Sequence, residues 1–330
     1  MENILVIRLK AIGDVIFTLP AIGALRENFP DAKITFLVSK ENAALLGGFR
    51  EINEVIVLDR AALRSGNPLR MGGEFFGLLR RLRAGKFSLV VDFQGFGETA
   101  WMAKLTGAPQ RWGSVYGSGR SWAYTRGPVR DDKLHPADWN LKLLAGCGVN
   151  CRTIRNEFVL PVAALEAARN FYSENQLDAN QRTLVIQPFT STDQKNWPLE
   201  NFLAVARHWR NHGVQVIFAG GPADGPQLEP ARAEKFCVAT GLPLLVSAGL
   251  VQLSTVMLGG DTGLGHLAVA QGRRVVMLMM HKNPGACVPY QHLDWAVTPE
   301  KPGRIREITV EAVLAETGRV LNPPAGSVSY

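Results

Sequence analysis

The sequence has few cysteines, and their spacing does not suggest a covalent framework. There are four in 330 residues. Cys147 and Cys151 lie close together, whereas Cys237 and Cys287 stand alone, and this matches neither a disulfide scaffold nor a zinc-binding spacing. We therefore expect reduced thiols, as in a cytoplasmic protein.

Long uncharged apolar runs are also missing. The opening stretch MENILVIRLKAIGDVIFTLP resembles a signal peptide in composition, but Arg8, Lys10 and Asp14 interrupt its apolar region. No other stretch reaches the roughly 20 apolar residues that a membrane-spanning helix requires. We expect neither an export signal nor a spanning helix, so that any membrane contact is peripheral.

Motifs for common cofactors are absent or incomplete. The first strand-to-helix junction lacks the dinucleotide fingerprint, and the match GLGHLA at residues 263–268 lies late in the chain without the acidic residue that should follow. His208 and His212 have a helical spacing, but HWRNH lacks the glutamate of a zinc protease. No aspartate-rich motif for magnesium occurs. We therefore predict no metal and no cofactor.

The N-terminal half of the sequence carries an excess of positive charge. The formal net charge is +7, and residues 1–160 hold 22 Lys and Arg against 15 Asp and Glu, whereas residues 161–330 hold 14 of each. A basic surface favours an anionic partner such as phosphate, nucleic acid or an acidic lipid surface. Solvated charge without a partner is the alternative, and composition leaves both open.

Short β-branched runs alternate with amphipathic helical patterns, which is typical of parallel sheets covered by helices on both faces. The predicted strands are 3–9, 33–38, 54–58, 87–93, 183–188, 214–221 and 273–280; the predicted helices are 17–29, 160–179, 198–213, 250–258 and 308–321. This α/β pattern predicts two doubly wound domains, residues 1–165 and 166–310, joined near 165–182. Residues 311–330 form a helix and tail, and we expect the helix to pack back across the cleft.

Ligands of such sheets bind beyond the carboxyl ends of the strands, so the loops there carry the function. Four of them are rich in polar residues: RLKAIGDVIFTLP, DFQGFGETA, QPFTSTDQKNWP and GGDTGLGH. We expect a tight turn at Gly13 that leaves Asp14 facing outward. Without the rest of the sequence, these residues also fit purely structural roles. Asp14 fits the N-cap of a helix, Lys195 fits a solvent-exposed lysine, and Thr190 and Ser191 fit turn-forming residues.

Five blocks occur in a characteristic order: ILVIRLKAIGDVIFTLPAI, DFQG, TSTDQKNWP, GGPAD and DTGLGHLAVA. In this order they resemble glycosyltransferase family 9, the ADP-heptose:lipopolysaccharide heptosyltransferases, over nearly the whole chain. The resemblance implies a GT-B fold, with two Rossmann-like domains facing a cleft, the first for the acceptor and the second for the nucleotide sugar. DFQG and Asn283-Pro284-Gly285 are more similar to heptosyltransferase I, which adds the first heptose to Kdo on lipid A.

The resemblance implies a set of donor-binding residues in the second domain. Thr190, Ser191 and Lys195 match positions that hold the diphosphate, and Thr262 and the Gly263 amide complete the phosphate-binding site. Asp224 is expected to accept hydrogen bonds from the ribose hydroxyls and Asp261 from the heptose hydroxyls. His266 is expected to support the site by hydrogen bonding. Without a magnesium motif, fixed donors must stabilise the departing ADP, and Lys195 supplies the compensating charge.

The resemblance also implies how the acceptor is bound and activated. Asp14 matches the proposed general base of an inverting transfer. Acceptor contacts to Kdo carboxylates and lipid phosphates are implied for Arg60, Arg64, Arg120 and Lys133. Glu98 departs from this pattern, since a basic or neutral residue is expected after DFQGFG.

The partners that follow are ADP-heptose, Kdo-lipid A and the anionic inner membrane, contacted peripherally from the cytoplasm; no nucleic acid is expected. Two alternatives stay open. Another family 9 transferase, heptosyltransferase II-like or specific for a different sugar, would share the donor residues. A nucleotide-binding oxidoreductase would use the same kind of sheet for NAD.

Overall fold

The computed structural model describes residues 2–114, 122–301 and 303–322. The chain divides into two compact units, Met1–Val159 and Leu160–Tyr330. Sequence analysis places this division six residues later, after residue 165. Each unit is described by itself below.

The first unit is a five-stranded sheet with helices between the strands. Its elements are β1 (Asn3–Ile7), α1 (Ile12–Ile16), α2 (Leu19–Asn28), β2 (Lys33–Ser39), β3 (Glu54–Leu58), α3 (Arg60–Leu63), α4 (Pro68–Ala84), β4 (Leu89–Asp92), α5 (Gly97–Leu105), β5 (Gln110–Gly113) and α6 (Pro136–Gly146), with a 3₁₀ helix at Lys40–Gly48.

All strand pairs in this sheet are parallel, in the order β3-β2-β1-β4-β5. The inner strands β1, β2 and β4 are largely apolar and buried, because helices cover both faces of the sheet, whereas the edge strands β3 and β5 are partly exposed. Strand order reverses between β1 and β4, and the crevice beyond the carboxyl ends of that pair is where open α/β sheets bind ligands.

The second unit contains a six-stranded sheet. Its elements are α7 (Val162–Glu174), β6 (Thr183–Gln187), α8 (Leu199–Asn211), β7 (Gln215–Gly220), α9 (Glu229–Ala233), β8 (Cys237–Thr240), α10 (Leu244–Leu253), β9 (Val256–Gly260), α11 (Gly263–Ala270), β10 (Val275–Leu278), β11 (Ala296–Val297) and α12 (Val310–Leu321), with 3₁₀ turns at Asp193–Lys195, Pro222–Asp224, Pro226–Leu228, Leu293–Trp295 and Ile305–Glu307.

This sheet is also parallel throughout, in the order β11-β10-β9-β6-β7-β8. Its strand order reverses between β6 and β9, so the loops after these two strands flank the expected ligand crevice. The prediction of two doubly wound parallel-sheet domains is confirmed.

One predicted element is wrong. Residues 250–258 were expected to form a single helix, but α10 ends at Leu253 and β9 begins at Val256. Six of the nine residues in LVQLSTVML are apolar, because both the helix and the central strand are buried, and the segment shows no period that separates helix from strand. Ser254 and Thr255 separate the helix from the strand.

The C-terminal helix α12 packs on α8 of its own unit. The Trp209 indole donates a 2.9 Å hydrogen bond to Thr317 Oγ1, and both side chains are buried. The expected return of this helix across the cleft stays a prediction. Among the described residues, no helix combines the length and the apolar character that a membrane crossing requires.

Candidate active site

The polar centre of the second unit is a cluster of Lys195, Asp261 and His266 at the carboxyl ends of β6 and β9. Lys195 Nζ lies 2.7 Å from Asp261 Oδ2, and His266 Nε2 lies 2.8 Å from Asp261 Oδ1. A carboxylate only accepts, so both neighbours donate to it. The sequence motifs identify each of the three residues, but nothing in the sequence indicates that they contact one another.

The two donors control the ionisation of Asp261. Burial by itself would raise the pKa of this carboxyl, but the hydrogen bonds and charges of His266 and Lys195 outweigh burial and hold the pKa at about 2. Asp261 is therefore ionised at neutral pH, and its oxygens act as acceptors.

The hydroxyl of Thr262 caps α11. Thr262 Oγ1 accepts from the Gly265 amide at 3.1 Å and donates to Gln187 Oε1 at 2.7 Å. Its one proton is therefore directed to Gln187, at the end of β6. Through this hydrogen bond Thr262 connects the loop after β9 to the end of β6. The backbone amides of Gly263 and Leu264 at the start of α11 are the groups suited to binding an anion.

Close packing fixes the loop that carries Lys195. Asn196 Oδ1 accepts from the Thr190 amide at 2.7 Å, and the buried Trp197 indole donates to the Ile308 carbonyl at 2.8 Å. A side chain at Gly260 would approach Thr190 Cγ2 to 2.6 Å, so a larger residue at this end of β9 would displace Thr190. Sequence analysis missed Asn196, whose role depends on a contact that composition does not reveal.

A pocket of about 230 Å³ opens beside the cluster. It is lined by Lys195, Asp261, Leu278, Met279, Met280, His281, Gly285, Ala286, Cys287 and Ile305. Gly285 has φ +85°, a conformation that side chains disfavour, which explains a glycine after Asn283-Pro284. The pocket thus has apolar walls and a charged pair on one side, which suits a ring with several hydroxyls.

The remaining donor residues lie near this edge of the sheet. Asp224 ends a 3₁₀ turn after β7 and accepts from the Gly221 amide at 2.7 Å. Ser191 is exposed in the loop before Lys195. Donor binding by these residues remains a prediction.

In the first unit, Asp14 lies in α1, beyond the carboxyl end of β1. Its carboxylate contacts Arg8 Nη2 at 2.6 Å and accepts from the Ala11 amide at 3.0 Å. Arg8 Nη1 also donates to the Phe93 carbonyl at 2.7 Å. The expected glycine turn is wrong, since Gly13 lies inside α1; residues 8–11 make the turn, and Asp14 is the third helical residue rather than the N-cap.

Gln94 ties the loops after β1 and β4 together. This side chain is fully buried, and its Oε1 accepts from the Leu9 amide at 2.9 Å. The preceding Asp92 is also fully buried: burial raises its pKa, and the Gly95 amide and the Tyr124 hydroxyl oppose that rise. The DFQG block is therefore a scaffold that sets the backbone around Arg8 and Asp14.

The four basic residues assigned to the acceptor lie in different surroundings. Arg60 is buried and paired with Glu98, its Nη2 lying 3.0 Å from Oε2, so the unexpected Glu98 compensates its charge. Arg64 and Lys133 are exposed, and they follow strands at opposite edges of the sheet. Arg120 lies outside the described residues.

No group of three or more His, Cys, Asp or Glu side chains in the described part of the chain is arranged to hold a metal ion. Catalysis without a metal ion stays a prediction.

Two doubly wound parallel sheets in one chain, with polar loops beyond the carboxyl ends of their central strands, define the GT-B class. Residues 75–308 match the model of glycosyltransferase family 9 (heptosyltransferase). The chain belongs to this family and is a glycosyltransferase, which confirms the resemblance and removes the oxidoreductase alternative.

Comparison with individual proteins agrees with this assignment. The chain is 24% identical over 310 residues to the lipopolysaccharide core heptosyltransferase OpsX of Haemophilus influenzae, covering 90% of this chain and 84% of that protein. The solved family 9 glycosyltransferase of Veillonella parvula is 24% identical, with a TM-score of 0.87 and coverage of 97% of each chain. Escherichia coli heptosyltransferase WaaC, solved with ADP-2-deoxy-2-fluoro heptose, is 20% identical with a TM-score of 0.75, over 96% of this chain and 99% of that one.

Proposed function

We propose that this chain transfers heptose from ADP-heptose to Kdo-lipid A, the inner core of lipopolysaccharide, with inversion at the anomeric carbon. Family membership supports the class of reaction. The named relatives support heptose and lipopolysaccharide: one is a core heptosyltransferase, and a structural neighbour was solved with an ADP-heptose analogue.

The observation that carries the proposal is the Lys195–Asp261–His266 cluster beside the pocket of the second unit. Asp261 is ionised and poor at binding phosphate, but it accepts well from vicinal hydroxyls, and so it binds the heptose. Lys195 Nζ has three protons, of which Asp261 takes one, leaving two for the diphosphate. The Gly263 amide adds a backbone donor at the helix start.

Leaving-group stabilisation follows from these same groups. As the bond from the anomeric carbon to ADP breaks, the electron pair leaves with the diphosphate, and its charge rises. Lys195 and the first amides of α11 are fixed before reaction and need no reorganisation, which is what makes such donors effective. Thr190 and Ser191 complete the loop around the phosphates, and Asp224 binds the ribose.

Asp14 is the base in this proposal. The acceptor hydroxyl forms the new bond to the anomeric carbon and gives its proton to the Asp14 carboxylate. Arg8 holds that carboxylate in place from one side and the Ala11 amide from another. An oriented carboxylate raises the rate more than a freely rotating one, because geometry decides whether the proton is within reach.

Acceptor binding is assigned to the basic residues of the first unit. Arg64 and Lys133 are exposed and suit the Kdo carboxylates and lipid phosphates. Arg60 acts through its ion pair with Glu98, and Arg120 is retained on the resemblance alone. The alternative within the family is a heptosylated acceptor, as in a heptosyltransferase II-like enzyme, or a different donor sugar.

A donor and acceptor screen tests the proposal. ADP-heptose should raise the melting temperature, with a stabilisation that grows as the logarithm of one plus the ratio of ligand concentration to Kd, and NAD should not. With defined Kdo-lipid A, mass spectrometry should show the addition of one heptose. Transfer to a heptosylated acceptor alone, or from another nucleotide sugar alone, would reject this substrate assignment in favour of the alternative.

A further inference from the structure

We propose that the outer surface of α4 and α5 docks on an anionic phospholipid membrane. We call this the α4–α5 surface and define it by Leu69, Phe76, Arg80, Arg83 and Trp101. The proposal gives a location to the membrane contact that a lipid-linked acceptor requires, and in that respect it rests on the proposed function.

Helix α4 exposes apolar side chains where a helix of a globular protein normally carries polar ones. Leu69 is 89% exposed and Phe76 is 68% exposed. At 3.6 residues per turn, Leu69, Phe76 and Arg80 fall within about 40° of one another around the helix axis. Leu78 and Leu82 are buried on the opposite side. Packing therefore fixes α4 with an apolar strip facing outward.

Helix α5 extends the strip. Leu82 of α4 and Ala103 of α5 share one core cluster, so the two helices lie on the same face of the sheet. Trp101 of α5 is 58% exposed, and its ring lies 4.5 Å from that of Trp122. Among the described residues, every exposed large Phe or Trp side chain belongs to the first unit. An exposed apolar patch of this kind marks an interaction surface.

The positive charge of α4 indicates which kind of partner this surface binds. The sequence of α4 has four arginines and one carboxylate, Glu74, which pairs with Arg81 at 3.2 Å. Arg80 and Arg83 are exposed on the outer side. Aromatic rings flanked by arginines suit the headgroup region of an anionic membrane. A symmetric contact between two copies would instead bring these arginines face to face.

One end of the surface lies at the carboxyl edge of the sheet. A helix that connects two parallel strands runs antiparallel to them, so α4 and α5 both start at the carboxyl edge of the sheet. Leu69 lies in the first turn of α4 and Trp101 is the central residue of α5, whereas Arg80 and Arg83 lie in the second half of α4, so the surface runs along the helices from this edge toward the opposite one. Asp14 follows β1 at the carboxyl edge, which is the edge at which the Leu69 end of the surface lies.

Vesicle co-sedimentation of the full-length protein tests the proposal. Wild type should bind phosphatidylcholine vesicles that contain phosphatidylglycerol, and should bind pure phosphatidylcholine vesicles far less. The double variant Leu69→Ser with Phe76→Ser should lower partitioning about tenfold or more, since two apolar side chains no longer enter the interface. Arg80→Gln with Arg83→Gln should lower it by a similar factor and flatten its salt dependence.

Matched controls are available in the second unit. Leu293 is 54% exposed and Arg273 is also exposed. Leu293→Ser and Arg273→Gln should sediment like wild type. All variants should keep the shift of the melting temperature with ADP, which shows that the donor unit is intact. Arg80→Gln with Arg83→Gln should melt slightly lower than wild type, because Arg83 Nε donates to the Leu105 carbonyl; the other variants should keep the wild-type melting temperature.

Three results would overturn the proposal: wild-type binding by both double variants, equal binding of wild type to the two kinds of vesicle, or a dimer in solution that Leu69→Ser with Phe76→Ser dissociates. Transfer to a water-soluble acceptor without acyl chains separates this proposal from the proposed function. The double variants should transfer to that acceptor at the wild-type rate. If wild type does not transfer to it, the proposed function fails, and vesicle binding is judged independently.

Discussion

Lys195 Nζ and Asp261 Oδ2 lie 2.7 Å apart across the point where strand order reverses in the second sheet. The pair joins the loop after β6 to the loop after β9, which are 66 residues apart in sequence. Each partner therefore orients the other, and the ion pair ties the two loops together. This contact has consequences for ionisation and for the rate of transfer.

Replacing Lys195 by alanine removes the cation assigned to the departing ADP. We expect kcat/KM to fall by an amount equivalent to about 2–4 kcal/mol of transition-state stabilisation, as for loss of one electrostatic donor. Steady-state kinetics measures the effect, with Lys301→Ala, an exposed lysine of the same unit, as the control. A Lys195→Ala enzyme within about twofold of wild type would show that the leaving group is stabilised elsewhere.

The pKa of about 2 at Asp261 predicts how the free energy of unfolding changes at acidic pH. Because folding lowers this pKa from its ordinary 3.8, the ion pairs stabilise the fold above about pH 4, and that contribution is lost as pH falls toward 2. At neutral pH it amounts to about 2 kcal/mol. Asp261→Asn should lower the free energy of unfolding at pH 7 by roughly this amount.

Carbon NMR of aspartate-labelled protein checks the ionisation directly. The carboxyl resonance that disappears in Asp261→Asn should stay at its ionised shift down to the lowest pH at which the protein is folded. A midpoint at or above pH 4 would contradict the account of the cluster.

Activity should not require a divalent metal, since Lys195 and the amides of α11 supply the positive charge at the diphosphate. Enzyme assayed in excess chelator should retain its rate. A rate that chelator abolishes and magnesium restores would refute this prediction.

Much of the fold was predictable because strand burial and helical periodicity are local properties. The strand at Glu54–Leu58 was predicted to the residue. The error at 250–258 arose where a buried helix runs into a buried strand and both are apolar. The sequence does not predict β5, β8 or β11, because β5 and β8 are four residues long and partly exposed and β11 has only two residues.

The candidate site was predictable in its residues but not in its contacts. Lys195 and Asp261 were each named, yet their ion pair depends on two strands meeting in space. Arg8 was noted only as a charge that interrupts an apolar run, whereas the structure shows it holding Asp14. Gln94 belongs to the DFQG block, but the sequence does not indicate that its side-chain amide holds the loop after β1.

Arg8 and Asp14 offer a matched pair of variants, because each removes the same 2.6 Å ion pair. Arg8→Met leaves a carboxylate at position 14, although it is held less well. We expect its turnover to fall by no more than about tenfold, since the base remains and only its positioning suffers. Thermal melting should show a similar loss of stability in Arg8→Met and Asp14→Asn.

The rate of heptose transfer by Asp14→Asn tests the central claim most directly. Asparagine keeps an oxygen that accepts from the Ala11 amide but cannot take the acceptor proton. With saturating ADP-heptose and acceptor, we predict turnover about 100-fold or more below wild type, with ADP binding unchanged. If Asp14→Asn turns over as fast as Arg8→Met, Asp14 serves only the structure of α1, and the base lies elsewhere.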